Sequence, residues 1–139
     1  MTNESNAQKL HSYASSYNWD NGSYNLRKVI NDPDCDKGTA LLIYWLSAPG
    51  YYCQFASRDE VPSFQVDNYD FVRELEEMYM SGKFKTANIL FNPQWDKTTM
   101  SSGFNWTEEY KEHRQTKDIS GLMKQPSIAD PDWEKEKNK

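Results

Sequence analysis

Apolar side chains near the start of the chain recur every three or four positions: Ala7, Leu10, Tyr13, Ala14 and Tyr17. That spacing places them on one face of a helix. Ser5, followed three residues later by Gln8, matches a capping pattern, so the helix is expected to begin there. Asn18 to Gly22 breaks it, because Asn-Gly favours positive backbone angles. Leu26, Val29 and Ile30 then predict the buried face of a second, short helix, ended by Pro33, which pushes the residue before it out of helical geometry. Asp36 is placed to cap a third helix, its carboxylate accepting from first-turn amides and favoured by the helix dipole. From Ala40 to Leu46 every residue is apolar or aromatic. A helix that is hydrophobic all round is central, so 36–47 is predicted to be the hub; a buried strand is the competing reading of so short an apolar run.

Ala48-Pro49-Gly50 marks the next stop, and 51–65 reads as a long irregular connection carrying Tyr51, Tyr52, Phe55 and Phe64. The strongest periodicity starts at Asp67. Phe71, Val72, Leu75, Met78 and Tyr79 share one helical face, opposite Asp70, Arg73, Glu74, Glu76 and Glu77, and Ser81-Gly82 supplies the stop. Residues 87–91 read as a short strand or an extended arm closed by Asn92-Pro93, and 94–105 as loop. Thr107, with Glu108 and Glu109 behind it, predicts one more helix start, running to Thr116. The expectation is therefore a mainly α, compact domain of about five helices over 1–118, followed by an extended or frayed tail over 119–139, where apolar density falls.

At 139 residues with 37% hydrophobic content, the chain has the size of one domain with a modest core. No apolar run approaches the roughly 18 residues of a membrane span, and Met1 to Asn6 lacks the basic start and apolar stretch of a secretion signal. No membrane association is expected, and the cytoplasm is the default location. Cys35 and Cys53 are too few for a disulfide framework and lack zinc-site spacing, so both are expected to be reduced. A net charge of -5 makes nucleic acid a poor direct partner and a basic protein an easier one.

Asp32, Asp34 and Asp36 have the spacing that opens a calcium loop. The glycine such a loop needs directly after Asp36 and the bidentate Glu at its twelfth position are missing, since position 37 is Lys and position 43 is Ile. They are read as turn and cap residues, and no metal or other cofactor is expected. His11 and His113 lie in no ligand pair, and no phosphate-cradling glycine loop or Gly-x-Ser-x-Gly elbow is present. No catalytic residue is therefore assigned, and an enzyme is the weakest reading. Aromatics are the surplus: five Trp, nine Tyr and six Phe exceed what so small a core hides. Tyr51, Tyr52, Trp95, Phe104 and Trp106 are candidate partner-binding residues, because loop aromatics supply rigid contact area. Asp67, Asp70, Glu74 and Glu77 complete the set as an acidic helix face for a basic partner.

Asn18-Trp19-Asp20-Asn21-Gly22, Asn31 to Asp36, and Thr39 to Trp45 together resemble domain-of-unknown-function family 4274, a small bacterial domain, with the similarity running over roughly residues 6–95. Small acidic domains of this kind look like immunity proteins of bacterial toxin systems, including contact-dependent growth inhibition. The resemblance implies a stoichiometric inhibitor of a cognate toxin domain, a nuclease with a basic cleft, and brings no catalytic residues with it. A non-catalytic helical scaffold binding another host protein is the alternative.

Overall fold

The computed structural model describes residues 4–98, 100–112 and 115–139. Its order is α1 (Asn6–Ser15), α2 (Tyr24–Asn31), α3 (Lys37–Leu46), α4 (Pro49–Tyr52), α5 (Val66–Met80), α6 (Trp106–Glu109) and α7 (Pro131–Lys137), with short 3-10 turns between them. The fold is mainly helical. Among the described residues no strand forms, and the one isolated antiparallel bridge joins Asp96 to Phe104.

Local chemistry sets the helix ends. Ser5 Oγ accepts from the Gln8 amide at 3.2 Å, opening α1 where the capping pattern places it. Asp36 accepts from the Gly38 amide at 2.9 Å and opens α3. At the end of α5, Gly82 has φ +77°, its amide reaches Tyr79 O, and the Lys83 amide reaches Met78 O. That is a glycine-closed helix end in which two otherwise unpaired carbonyls are satisfied.

α3 is the hub. Gly38 through Trp45 are all buried, and the helix packs against α1, α4 and α5. Leu26, Val29 and Ile30 of α2, and Phe71, Val72, Leu75 and Tyr79 of α5, close around it. Each large apolar side chain fully withdrawn from water contributes about 1.5–3 kcal/mol. The polar ends of the two buried aromatics on α3 are also satisfied: Trp45 Nε1 donates to Met123 O at 2.9 Å, and the Tyr44 hydroxyl to Glu76 Oε2 at 2.8 Å.

Residues 87–91 form an irregular arm with a bend at Ile89. Its backbone is paired by side chains instead of by a neighbouring strand. Asp36 accepts from the amides of Asn88 (2.8 Å) and Ile89 (3.0 Å) and from Thr86 Oγ1 (2.7 Å), while Ser127 Oγ accepts from Phe91 N and donates to Ile89 O. The arm lies so close to α3 that a Cβ built on Gly38 would sit 1.9 Å from Ile89 O.

Four expectations are corrected. Pro49–Tyr52 is a helical turn, entered through Ala48 in the left-handed region (φ 61°), and 51–65 also holds 3-10 turns at Arg58–Glu60 and Ser63–Gln65. The cap before α6 is Asn105, whose Oδ1 accepts from the Thr107 amide at 3.0 Å. α6 gives way to a 3-10 turn at Tyr110–Glu112, and the Thr116 amide pairs with Cys53 O, so the helix does not run to Thr116. The stretch from 119 is not a frayed tail: Ile119, Met123, Ser127 and Asp130 are buried, and no boundary falls at 118. Asp130 Oδ1 then accepts from the Trp133 amide and starts α7, with Pro131 at its first position.

Candidate protein interface

The acidic face of α5 is largely neutralised from within. Arg27 of α2 pairs with Glu74 and, at 3.3 Å, with Asp67, which also accepts from Ser23 Oγ. Arg58 grips Asp70 with two hydrogen bonds of 2.9 and 3.0 Å, and that grip holds the Asp70 carboxyl below its ordinary value. Glu77 is exposed and has no ion pair among the described residues. The pattern of carboxylates was legible in the sequence; their arginine partners, 12 to 47 residues away, were not.

Tyr52 is buried, 5% exposed, with its hydroxyl accepting from Asn68 Nδ2 at 2.9 Å and its ring against Tyr69 and Tyr51. Burial pushes its phenol above the ordinary value. It is a core residue, and its place among partner-binding candidates is corrected. Tyr51 is half-buried; its hydroxyl donates to Gln65 Oε1 at 2.7 Å.

Trp95, Phe104 and Trp106 come together around Asp96. The Asp96 carboxylate, 2% exposed, accepts from Trp106 Nε1 at 2.9 Å and from the Thr98 amide, while Phe104 stacks edge-on to Trp106 at 4.8 Å. Trp95 Nε1 donates to Ser102 O, and Lys97 sits 4.6 Å over its ring. Asp96 was missed in the sequence because a buried carboxylate has no local signature; its spacing from Trp106 acquires meaning only once the chain folds back. Tyr51 and Trp106 do meet, lining a cleft of about 130 Å³ with Glu109 and Tyr110. The α5 carboxylates are not among its walls.

Cys35, Cys53, His11 and the aspartates before α3 are engaged structurally. Burial raises both thiols, Cys35 to about 12, and neither is in a disulfide. His11 Nδ1 lies 2.8 Å from Thr39 Oγ1, with burial lowering its pKa against the opposing pull of Asp36; His113 lies outside the described residues. Asp32 Oδ1 accepts from the Asp34 amide, and Asn6 Nδ2 donates to Asp34, which closes the turn between α2 and α3. Among the described residues no group of three His, Cys, Asp or Glu is placed to hold a metal ion, and no helix is long and apolar enough to cross a membrane.

What emerges is a small, mainly helical domain with a buried apolar hub and irregular, side-chain-braced loops. The family model described as Domain of unknown function (DUF4274) matches residues 5–80, more than half of the chain, and the protein belongs to that family. The match ends with α5, so the similarity expected on to about residue 95 is not part of it. No curated protein and no solved structure matches the chain.

Proposed function

We propose that this protein is a stoichiometric, non-catalytic inhibitor: an immunity protein that binds a cognate antibacterial toxin domain, a nuclease with a basic cleft, and occludes its active site in the cytoplasm. The observation that carries this reading is where the acid surplus resides. After internal pairing has absorbed Asp67, Asp70 and Glu74, exposed carboxylates without an ion pair among the described residues include Asp59, Glu60 and Glu77 on or just before α5, with Glu4, Asp20, Asp34, Glu112 and Asp132 elsewhere on the surface. Solvent-facing carboxylates on a chain of net charge -5 draw a basic surface in and speed association. Family membership leaves the function open, so this reading stands on the surface.

The test is co-expression with the toxin that this reading expects a neighbouring gene to encode. Restored growth and a one-to-one complex on gel filtration are expected. Absence of both overturns the reading.

A further inference from the structure

Phe64 has the most exposed large apolar side chain among the described residues, at 83%. A lone surface hydrophobe ordinarily needs no explanation. This one is held out by a braced loop. The 3-10 turns at Arg58–Glu60 and Ser63–Gln65 are fixed at three points: Arg58 on Asp70, Gln65 under the Tyr51 hydroxyl, and Val61 turned inward at 6% exposure. The Gln65 amide also closes onto Pro62 O at 2.8 Å. The loop is therefore ordered before any partner arrives, so little of the ordering cost that weakens association remains to be met.

The unpaired charge on this loop has one sign: Arg58 is committed to Asp70, and the two carboxylates beside it, Asp59 and Glu60, are exposed and have no ion pair among the described residues. An aromatic anchor flanked by exposed acids is the arrangement of an interface hot spot within a polar rim.

We infer that the 57–65 loop is the docking point for a basic protein surface, with Phe64 entering an apolar socket on the partner and Asp59 and Glu60 facing a Lys- or Arg-lined rim. The inference rests on the inhibitor reading and adds to it the surface used. It moves the interface from the carboxylates of α5, which Arg27 and Arg58 neutralise, to the loop ahead of that helix.

Binding of the full chain to the purified toxin domain expected from the neighbouring gene tests it. Phe64→Ala should weaken the complex by about 30-fold or more, chiefly through faster dissociation. The double change Asp59→Lys with Glu60→Lys should slow association by about tenfold and flatten its salt dependence. Leu90→Ala is the control. That side chain is also exposed, at 41%, but lies on the arm beside the start of α3, where Lys37 sits over Tyr79 at the far end of α5 from Phe64. It should bind within about twofold of the parent. Circular dichroism of Phe64→Ala should match the parent, since the ring is mostly in water. A parent complex that survives Phe64→Ala unchanged overturns the docking point and leaves the inhibitor reading standing. A parent chain that forms no complex overturns both.

Discussion

Residues 5–80 and 81–139 hold their shape in different ways. The first segment, which the family model covers, is built from helices whose apolar faces meet around α3. The second has two short helices and long stretches of irregular chain, yet it supplies Phe91, Tyr110, Ile119 and Met123 to the same core. What substitutes for regular structure there is a set of side chains pairing with backbone: Asp36 on 88–89, Ser127 on Phe91 and Ile89, Thr116 Oγ1 on Cys53 O, and Gln94 on Lys124 O. Buried backbone groups must be paired somewhere, and away from helices the pairing falls to particular side chains. The helical part is periodic and the wrap is bespoke, but they form one core.

The most severe way to break that comparison is to separate the two. A chain ending after Gly82 loses four large buried side chains from around α3, worth about 6–12 kcal/mol at the usual return per residue. Whole domains are stable by only roughly 5–15 kcal/mol. The truncated chain should therefore lose cooperative urea unfolding and near-UV dichroism while retaining some helical far-UV signal. A cooperatively folded fragment would show that the family-matched segment is self-sufficient and that the wrap is an accessory.

A smaller break cuts the seam at its anchor. Asp36→Ala leaves the buried amides of Gly38 and Ile89, and the part-buried Asn88 amide and Thr86 hydroxyl, without their acceptor, at a cost of about 4 kcal/mol in urea unfolding. The same carboxylate makes the seam pH-sensitive. Burial alone would raise its pKa; the hydrogen bonds from Asn88, Gly38, Thr86 and Ile89 outweigh burial and hold it below the ordinary value of 3.8. A depressed folded-state pKa contributes stability that is fully present above that ordinary value and is lost as pH falls through the lower folded one. The stability gap between the parent and Asp36→Asn should hold constant above the ordinary carboxylate range and narrow below it. A gap that stays constant into strong acid would mean that the seam does not depend on the charge.

This division also explains what could be seen in the sequence. The caps at Ser5 and Asp36, the hub over 36–47, and the long helix closed by Gly82 depend on residues within a turn or two of one another, and their patterns survive in one dimension. α4 escaped because one turn of helix carries no periodicity, and α7 because Asp130-Pro131, a good start signal, stands before a charged stretch with a single tryptophan. Asp36 was recognised as a cap, but its larger task lies some fifty residues downstream. For the proposed interface, loop aromatics and acidic spacing were visible, whereas which carboxylates are spent on Arg27 and Arg58, and that Phe64 points outward while Tyr52 points in, follow only from the fold.

The mildest test bears on the regular half. Gly82 sits at φ +77°, and a Cβ there would meet no atom within 4 Å. Gly82→Ala therefore probes backbone conformation alone, at a cost of about 1 kcal/mol for placing an L side chain in the left-handed region. The corresponding change at Gly38 would drive a methyl into the Ile89 carbonyl, a collision between segments that no local relaxation of α3 relieves. The small penalty at Gly82 should appear as a shifted urea midpoint with an unchanged slope, because the helix end can reorganise without unseating the wrap. A loss as large as that of Asp36→Ala would place the end of α5 within the seam, and the contrast between locally specified helices and a tertiary wrap would have to be redrawn from Gly82 onward.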